Sequence, residues 1–303
     1  MKENILIVGT GGLASLFAAR LAQVGHRISM LGTWQDGLNA IRANGIRLID
    51  SNGREYRFGV HAAEDPLECA GTKYALVLVK AWQTERAARQ LAGCLASDGL
   101  AVTLQNGLGN RETLIQSLGA DRVALGVTTA GATLLGPGLV KAGGEGPISI
   151  ERNPALGPLE EALRSARFEI HIVDDARALI WGKLVINSAI NPLTALLRVK
   201  NGELLERPAA RAVLGQLARE TARVAAAENV TLPFDDPVAA AEDVARRTAL
   251  NQSSMLQDIL REAPTEIDAI CGAVVKTAQK HGIETPANLA CWQLVKALTE
   301  RAA

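Results

Sequence analysis

A lysine and two asparagines stand four residues apart in the middle of the chain, at Lys183, Asn187 and Asn191. In a helix, residues at this spacing drift around the axis by only about 40° per step, so the three polar groups share one face. The residues between them are mostly apolar, which predicts a helix that is largely buried. An unpaired lysine in such a helix has a lowered pKa, as a proton donor working near neutral pH requires. The alternative is a lysine whose charged end reaches the surface from an ordinary core helix.

Two further polar positions follow strand-like apolar runs. Lys80 comes after the run at 74–79, and Gln105-Asn106-Gly107 comes after the run at 100–104. In an open parallel sheet, ligands bind beyond the carboxyl ends of the strands, which favours a functional role for Lys80 and Asn106. The alternatives are a solvated strand end for Lys80 and a turn-forming asparagine ahead of Gly107.

The second half of the chain offers an acid and a polar run. Glu266 stands in the first turn of a helix predicted over 265–281, where an acid also simply complements the helix dipole. Asn251 and Ser254 belong to a polar run between helices that could offer an amide and a hydroxyl to a small anion. Helix capping is the alternative for both.

These side chains need elements that position them, and the N-terminus supplies the clearest one. Residues 4–8 form a short apolar, β-branched run typical of a strand buried on both faces. A glycine turn and then a helical pattern follow. This arrangement of strand, glycine turn and helix predicts a dinucleotide-binding loop, in which phosphates lie against a helix N-terminus. The predicted loop residues are Gly9, Thr10, Gly11, Gly12, Leu13 and Ala14.

The residues after the second predicted strand, at 27–31, bear on the choice of nucleotide. An acid there favours NAD, whereas an arginine accommodates the 2′-phosphate of NADP. The chain has Gly32-Thr33-Trp34 at this point and therefore carries neither marker.

The remaining pattern predicts an α/β fold with two domains. Strand-like runs alternate with helical stretches in the first half, which indicates a doubly wound parallel sheet of Rossmann type. A glycine-rich segment at 131–150 predicts additional hairpin strands, and nearly everything after residue 176 reads as helix. We expect a dinucleotide-binding domain over 1–174, an all-α domain over 175–303, and a ligand cleft between them.

The composition narrows the classes of function. The 303 residues contain 48% hydrophobic and 21% charged residues, typical of a globular protein. Basic and acidic residues balance at 32 each and aromatic residues make up only 3%, so nucleic-acid binding is not expected. No apolar run reaches the roughly 18 residues of a membrane span, and the scattered cysteines and histidines show no metal-ligand spacing. We therefore expect a cytoplasmic protein with no metal site and no membrane partner.

Taken together, these motifs resemble the ketopantoate reductase (2-dehydropantoate 2-reductase) family, and the resemblance runs nearly end to end. It is carried by the glycine loop, Lys80, Gln105-Asn106-Gly107, the helix from Lys183 to Thr194, Asn201-Gly-Glu-Leu, the run from Ser253 to Asp258, and Glu266-Ile-Asp268. The resemblance implies a 6-phosphogluconate dehydrogenase-like fold and NADPH-dependent reduction of a small 2-keto acid in pantothenate biosynthesis. It also implies a C-terminal domain for substrate binding and dimerisation, and so leaves room for a homodimer.

The resemblance also assigns roles to individual residues. Lys183 would be the general acid, and Glu266 would hydrogen-bond the substrate hydroxyl and help hold the acid in place. Lys80 and Asn106 would lie on the cofactor side. The substrate pocket would be lined by Asn106, Asn187, Asn191, Asn201, Asn251 and Ser254.

One departure from the family pattern keeps a second function open. Family members commonly carry an arginine shortly after the second strand, where this chain has Thr33 and Trp34. A related NAD(P)-dependent 2-keto acid reductase with another substrate, or with a preference for NAD, would retain the same hydride chemistry. A dinucleotide sensor without catalysis is the third hypothesis, and the presence of both Lys183 and Glu266 argues against it.

Overall fold

The computed structural model describes residues 2–300 of the chain. These residues form two compact units, the first made of residues 2–105 and 110–176, the second of residues 106–109 and 177–300. The predicted fold class is confirmed: a mostly parallel sheet with flanking helices in the first unit, and an all-α second unit apart from the loop at 106–109.

Most strands of the first unit belong to one eight-stranded sheet, in the order β12-β11-β8-β7-β6-β1-β2-β5, and four form a smaller sheet in the order β4-β3-β10-β9. All pairs in the large sheet are parallel except β8 with β11. The strands are β1 (Asn4–Val8), β2 (Arg27–Leu31), β3 (Ile46–Ile49), β4 (Glu55–Phe58), β5 (His61–Ala63), β6 (Thr72–Val77), β7 (Leu95–Thr103), β8 (Val123–Thr128), β9 (Ala132–Gly136), β10 (Leu139–Ala142), β11 (Ile148–Glu151) and β12 (Ile170–Val173).

The helices cover the sheet in the first unit and pack on one another in the second. Those of the first unit are α1 (Gly12–Gln23), α2 (Gln35–Asn44), α3 (Thr84–Cys94), α4 (Asn110–Leu118) and α5 (Gly157–Ser165). Those of the second are α6 (Arg177–Leu197), α7 (Glu203–Glu206), α8 (Pro208–Ala227), α9 (Pro237–Arg247), α10 (Ser254–Leu260), α11 (Cys271–Lys280) and α12 (Pro286–Thr299). None of the helices within residues 2–300 has both the length and the apolar character that a membrane span needs.

Strand β1 lies in the middle of the large sheet and is buried on both faces, as its sequence predicts. Ile5 and Ile7 join the core on the side of α1, where Phe17 stacks on Phe168 with 4.4 Å between ring centroids. The alternate residues of β1, Leu6 and Val8, join a separate core on the other side. This double burial fixes the glycine turn that follows β1 at the carboxyl edge of the sheet.

Register brings several strand ends to that same edge. Val8 pairs with Leu31 of β2 and with Val77 of β6, while Leu31 pairs with Ala63 of β5 and Val77 with Thr103 of β7. The segments that follow these five strands are therefore neighbours. They lie at the edge of the sheet where open parallel sheets bind their ligands.

The boundaries differ from the sequence-based prediction in two instructive places. Strand β6 ends at Val77, two residues before the predicted end, and a short 3-10 turn follows at Ala81–Gln83. The helix predicted over 265–281 begins only at Cys271, so the placement of Glu266 in its first turn was wrong. Ile270 has φ −101° and ψ −95°, which is not helical, and the preceding residues form a turn.

Candidate active site

The glycine turn after β1 is shaped by close backbone packing. Gly9 has a φ of +129°, and a Cβ at this position would lie 3.0 Å from the carbonyl oxygen of Leu78. Its N–H donates to the carbonyl oxygen of Leu31 at 2.8 Å. The turn can therefore pass between the ends of β2 and β6 only because residue 9 has no side chain.

The next glycine has the opposite surroundings. Gly11 is exposed, and a Cβ placed on it would meet nothing within 4 Å. It is the N-cap of α1, and no side chain caps this helix end. The first turn of α1 also contains no acidic residue. Open space, uncapped N–H groups and the positive end of the helix dipole together fit the pyrophosphate of a dinucleotide.

The other residues of the turn hold its shape. Thr10 and Ala14 are buried, and a Cβ on Gly12 would lie 3.2 Å from the carbonyl oxygen of Ala132. A Cβ on Gly32, which follows β2, would lie 2.8 Å from the methyl group of Thr10. The glycine turn and the end of β2 are thus in close contact within the first unit.

Two of the predicted residues follow the neighbouring strands. Lys80 is partly buried just beyond the end of β6, and its backbone N–H donates to Oε1 of Gln83 at 3.3 Å. Gln105 lies beyond β7 and donates from Nε2 to the carbonyl oxygen of Val79 at 3.0 Å and to Oγ1 of Thr84 at 2.7 Å. The Gln105 side chain therefore braces the strand ends from within the first unit.

In the second unit, helix α6 carries Lys183, Asn187 and Asn191, and the predicted spacing is confirmed as one continuous helix. Lys183 and Asn187 are partly accessible and Asn191 is buried. Among the residues that the structure describes, no protein group hydrogen-bonds to the side-chain amides of Asn187 and Asn191. Two amide groups on one helix face are thus available to a ligand.

Lys183 is perturbed in the way that a proton donor requires. Burial lowers its pKa from 10.5 to about 8, and the negative charge of Glu266 opposes that shift. Desolvation is the larger of the two causes, because burial disfavours the ammonium form.

Glu266 and Asn106 are 160 residues apart in sequence but meet in this unit. Nδ2 of Asn106 donates to Oε2 of Glu266 at 3.1 Å, and only 6% of Glu266 is exposed. The backbone N–H of Leu108 donates to the carbonyl oxygen of Ala269 at 3.1 Å. Gly107, with φ +80°, has Ala269 so close that a Cβ would overlap its carbonyl oxygen. The loop at 106–109 is thus fitted tightly to the turn that carries Glu266.

The remaining predicted substrate residues form a second group. The backbone N–H of Asn201 donates to the carbonyl oxygen of Asn251 at 3.0 Å, and its Nδ2 donates to Oγ1 of Thr248 at 2.9 Å. Oδ1 of Asn201 is buried and has no hydrogen-bond partner. The side chain of Asn251 is exposed, so the contact of this residue with Asn201 runs through its backbone.

Ser254 begins α10 and is partly buried, beside a serine that the sequence reasoning did not single out. Ser253 caps α10 by accepting from the N–H of Leu256 at 3.1 Å, and its hydroxyl lies 2.7 Å from that of Thr194 on α6. Thr194 stands three residues after Asn191, so this contact ties the start of α10 to the polar end of α6. In the sequence, the only indication of a role for Ser253 was its position ahead of a helical run, which is typical of a helix cap.

No group of three or more histidine, cysteine, aspartate or glutamate side chains within residues 2–300 is arranged to hold a metal ion. The chemical groups gathered in the second unit are instead an ammonium with a lowered pKa, a buried carboxylate and several amides. Such a set can bind a small hydroxylated acid and give a proton to its carbonyl oxygen.

Comparison with known proteins identifies the family to which the chain belongs. Residues 5–155 match the family model described as ketopantoate reductase PanE/ApbA, and residues 175–299 match the model of its C-terminal part. The chain belongs to the ketopantoate reductase family. It is 35% identical to the 2-dehydropantoate 2-reductase of Halobacterium salinarum, with 93% of this chain and 94% of that protein covered. It is likewise 35% identical to the enzyme of the same name from Archaeoglobus fulgidus, with 97% of each covered.

Solved structures of similar proteins have the same fold. A PanE/ApbA family ketopantoate reductase from Ralstonia eutropha matches with a TM-score of 0.91 at 31% identity, covering 98% of each chain. D-mandelate dehydrogenase in a ternary structure with NADH and anilino(oxo)acetate matches with a TM-score of 0.92 at 25% identity, again over 98% of each chain. The predicted family is thus confirmed. Its members are oxidoreductases that use NAD(P)H, and the structure of D-mandelate dehydrogenase contains NADH.

Proposed function

We propose that this protein reduces 2-dehydropantoate to pantoate with a hydride from NAD(P)H, and that Lys183 donates the proton. The observation that carries the proposal is Lys183 on α6, with a pKa lowered to about 8 and with Glu266 as its charged neighbour. Curated relatives named 2-dehydropantoate 2-reductase, at 35% identity over nearly the whole chain, support the choice of substrate.

The glycine turn of the first unit is the proposed cofactor site. The open space at Gly11 and the uncapped start of α1 would receive the pyrophosphate, with Gly9, Thr10, Gly12, Leu13 and Ala14 shaping the turn around it. Lys80 and Asn106 are proposed as further cofactor contacts. When bound, the nicotinamide supplies the hydride that adds to the carbonyl carbon of the substrate.

Lys183 supplies the proton that completes the reduction. As the carbonyl carbon gains two electrons, negative charge develops on its oxygen, and an ammonium hydrogen-bonded there stabilises that charge. The proton then moves from Nζ of Lys183 to the oxygen, which leaves a neutral amine and a hydroxyl group. A pKa near 8 keeps most of Lys183 protonated at neutral pH while making the proton easier to give than from an ordinary lysine.

The amides and the carboxylate orient the substrate. The free amide groups of Asn187 and Asn191 can donate to its carboxylate, and Glu266 can accept from its hydroxyl group. The unpartnered Oδ1 of Asn201 can likewise accept a hydrogen bond. Asn106, Asn251 and Ser254 complete the proposed pocket. Neutral amides bind an anionic substrate without burying an additional full charge.

A steady-state assay with 2-dehydropantoate tests the proposal. The purified protein should oxidise NADPH or NADH only when the keto acid is present, and pantoate should accumulate in equal amount. Absence of turnover with both nucleotides, in protein shown to be folded, would contradict it.

The likeness to D-mandelate dehydrogenase supports a second candidate, a D-2-hydroxy acid dehydrogenase with another substrate. Both reactions use the same hydride and proton chemistry, so only the substrate separates them. Comparing kcat/KM for 2-dehydropantoate with that for the phenyl-substituted 2-keto acid that corresponds to mandelate distinguishes the two. Higher efficiency with the phenyl compound would favour the second candidate.

A further inference from the structure

The segment after β2 contains neither of the residues that usually read the adenosine ribose. Residues 32–35 are Gly-Thr-Trp-Gln; the first acid after β2 is Asp36 on α2, and the first lysine or arginine after β2 is Arg42. In sheets of this kind the residue at the end of the second strand contacts the ribose, through an acid for NAD or beside a cation for NADP. The end of β2 itself therefore supplies no selecting group.

The neighbouring strand supplies an acid at this position. Leu31 at the end of β2 pairs with Ala63 at the end of β5, and the N–H of Gly32 donates to the carbonyl oxygen of Ala63 at 3.1 Å. Glu64, the residue after Ala63, therefore emerges beside Gly32. Gly32 in turn packs against Thr10 of the glycine turn, so the acid lies in the row of strand ends that holds the dinucleotide.

The carboxylate of Glu64 is held in place. Nε2 of Gln35, at the start of α2, donates to Oε1 of Glu64 at 2.5 Å. Both side chains are exposed, so this contact adds little to stability. The contact instead determines where the Glu64 carboxylate lies, because it holds this acid beside the segment between β2 and α2.

We propose that Glu64, positioned by Gln35, contacts the adenosine ribose and selects NADH over NADPH. This proposal rests on the proposed use of a nicotinamide cofactor. The free oxygen of the carboxylate can accept a hydrogen bond from a ribose 2′-hydroxyl, whereas it repels a 2′-phosphate. NADH, and not the NADPH expected from the family resemblance, is then the preferred cofactor.

The other charges of the two segments reinforce this selection. Residues 32–41 and 64–72 contain the acids Asp36, Glu64, Asp65 and Glu68 and no lysine or arginine. Arg42 stands seven residues beyond Gln35 on α2. Its Nε donates to the carbonyl oxygen of Ala62 at 3.0 Å and its Nη1 to Oδ1 of Asn39 at 3.4 Å. Arg42 is thus engaged along the side of β5, and residues 32–41 and 64–72 carry a net negative charge.

Calorimetric titration of the full chain with NADH and with NADPH, in the absence of the keto acid, tests this proposal independently of catalysis. NADH should bind the wild-type protein about tenfold or more tightly than NADPH, the difference expected from one like-charge contact. Glu64→Gln should reduce that ratio severalfold, mainly by tightening NADPH. Glu161→Gln is the matched control, because Glu161 is an exposed acid on α5 of the same unit and lies outside both segments, and it should leave the ratio unchanged.

Titration with two adenine nucleotides that lack the nicotinamide half shows whether Glu64 acts at the adenosine ribose. 5′-AMP should bind the wild-type protein more tightly than 2′,5′-ADP, and Glu64→Gln should bring the two together. Tighter NADPH than NADH in the wild-type protein, or an unchanged ratio in Glu64→Gln, overturns the proposal. The proposal is also overturned if Arg42→Ala loses NADPH binding while Glu64→Gln does not change it. That result would mean that Arg42 binds the 2′-phosphate of NADPH. If neither nucleotide binds, the proposed function fails as well, whereas tight NADPH binding with turnover refutes only the role of Glu64.

Discussion

The glycine turn of the first unit and helix α6 of the second unit are built on opposite principles. At the glycine turn, function depends on side chains that are missing, since Gly9 lets the backbone pass and Gly11 leaves open space at an uncapped helix end. On α6, function depends on polar side chains kept in a largely apolar helix, above all Lys183. The first region should therefore be damaged by adding atoms, and the second by removing polar ones.

The largest effect is expected on α6. Lys183→Ala should lower kcat for keto-acid reduction by about 10²–10⁴-fold, because the proton donor is lost. Lys183→Arg should remain similarly slow, since arginine keeps the charge but does not release its proton. Nucleotide affinity, measured by titration, should not change, because the glycine turn is intact. The exposed Lys200→Ala is the control. Near-normal kcat in Lys183→Ala would remove Lys183 from the mechanism.

The glycine turn should respond to one added methyl group. The methyl group added by Gly11→Ala would meet no protein atom within 4 Å. The melting temperature of this variant should therefore match that of the wild-type protein. The methyl group would occupy the space proposed for the pyrophosphate and should raise the Kd for NADH about ten- to a hundredfold. Gly157→Ala, also at a helix start with nothing within 4 Å, should leave Kd unchanged. Equal affinities in both variants would mean that the pyrophosphate does not lie at Gly11.

Local patterns in the sequence were sufficient for the elements that carry these two regions. The apolar run and the glycines predict β1, the turn and α1, because those features act over a few neighbouring residues. The spacing of four residues between Lys183, Asn187 and Asn191 predicts α6 in the same way. The outcome differs where tertiary contacts decide the conformation. Pro264-Thr265 resembles a helix start, yet the chain forms a turn until Cys271, since the turn packs against the loop at 106–109.

Residues from distant parts of the chain could not be brought together from spacing alone. The contact of Asn106 with Glu266 crosses 160 residues and depends on Gly107 fitting against Ala269. Strand β5 has only three residues, too few to show a periodic pattern, and so the position of Glu64 beside β2 was not predictable. The family resemblance supplied roles for Asn106 and Glu266, but it supplied none for Glu64.

A smaller effect is expected at the contact between Asn106 and Glu266. Asn106→Ser removes one hydrogen bond to a buried carboxylate and should lower kcat/KM about tenfold, the change expected for a charged hydrogen bond. Asn106→Asp should be worse, because it places a second carboxylate beside the first. Asn44→Ser, on the exposed end of α2, is the matched control. If the Ser and Asp variants were both as active as the wild-type protein, the contact would have no part in catalysis.

The pH dependence of kcat/KM for reduction, compared between the wild-type protein and Glu266→Gln, tests most directly whether Lys183 is the proton donor. The wild-type value should be constant at neutral pH and fall above about pH 8, because the folded protein then loses the proton that Lys183 must give. The charge of Glu266 raises the pKa of Lys183, so its removal should move the fall to lower pH, whatever the remaining activity. A fall at the same pH in both proteins, or none up to the ordinary pKa of lysine, would contradict the role given to Lys183.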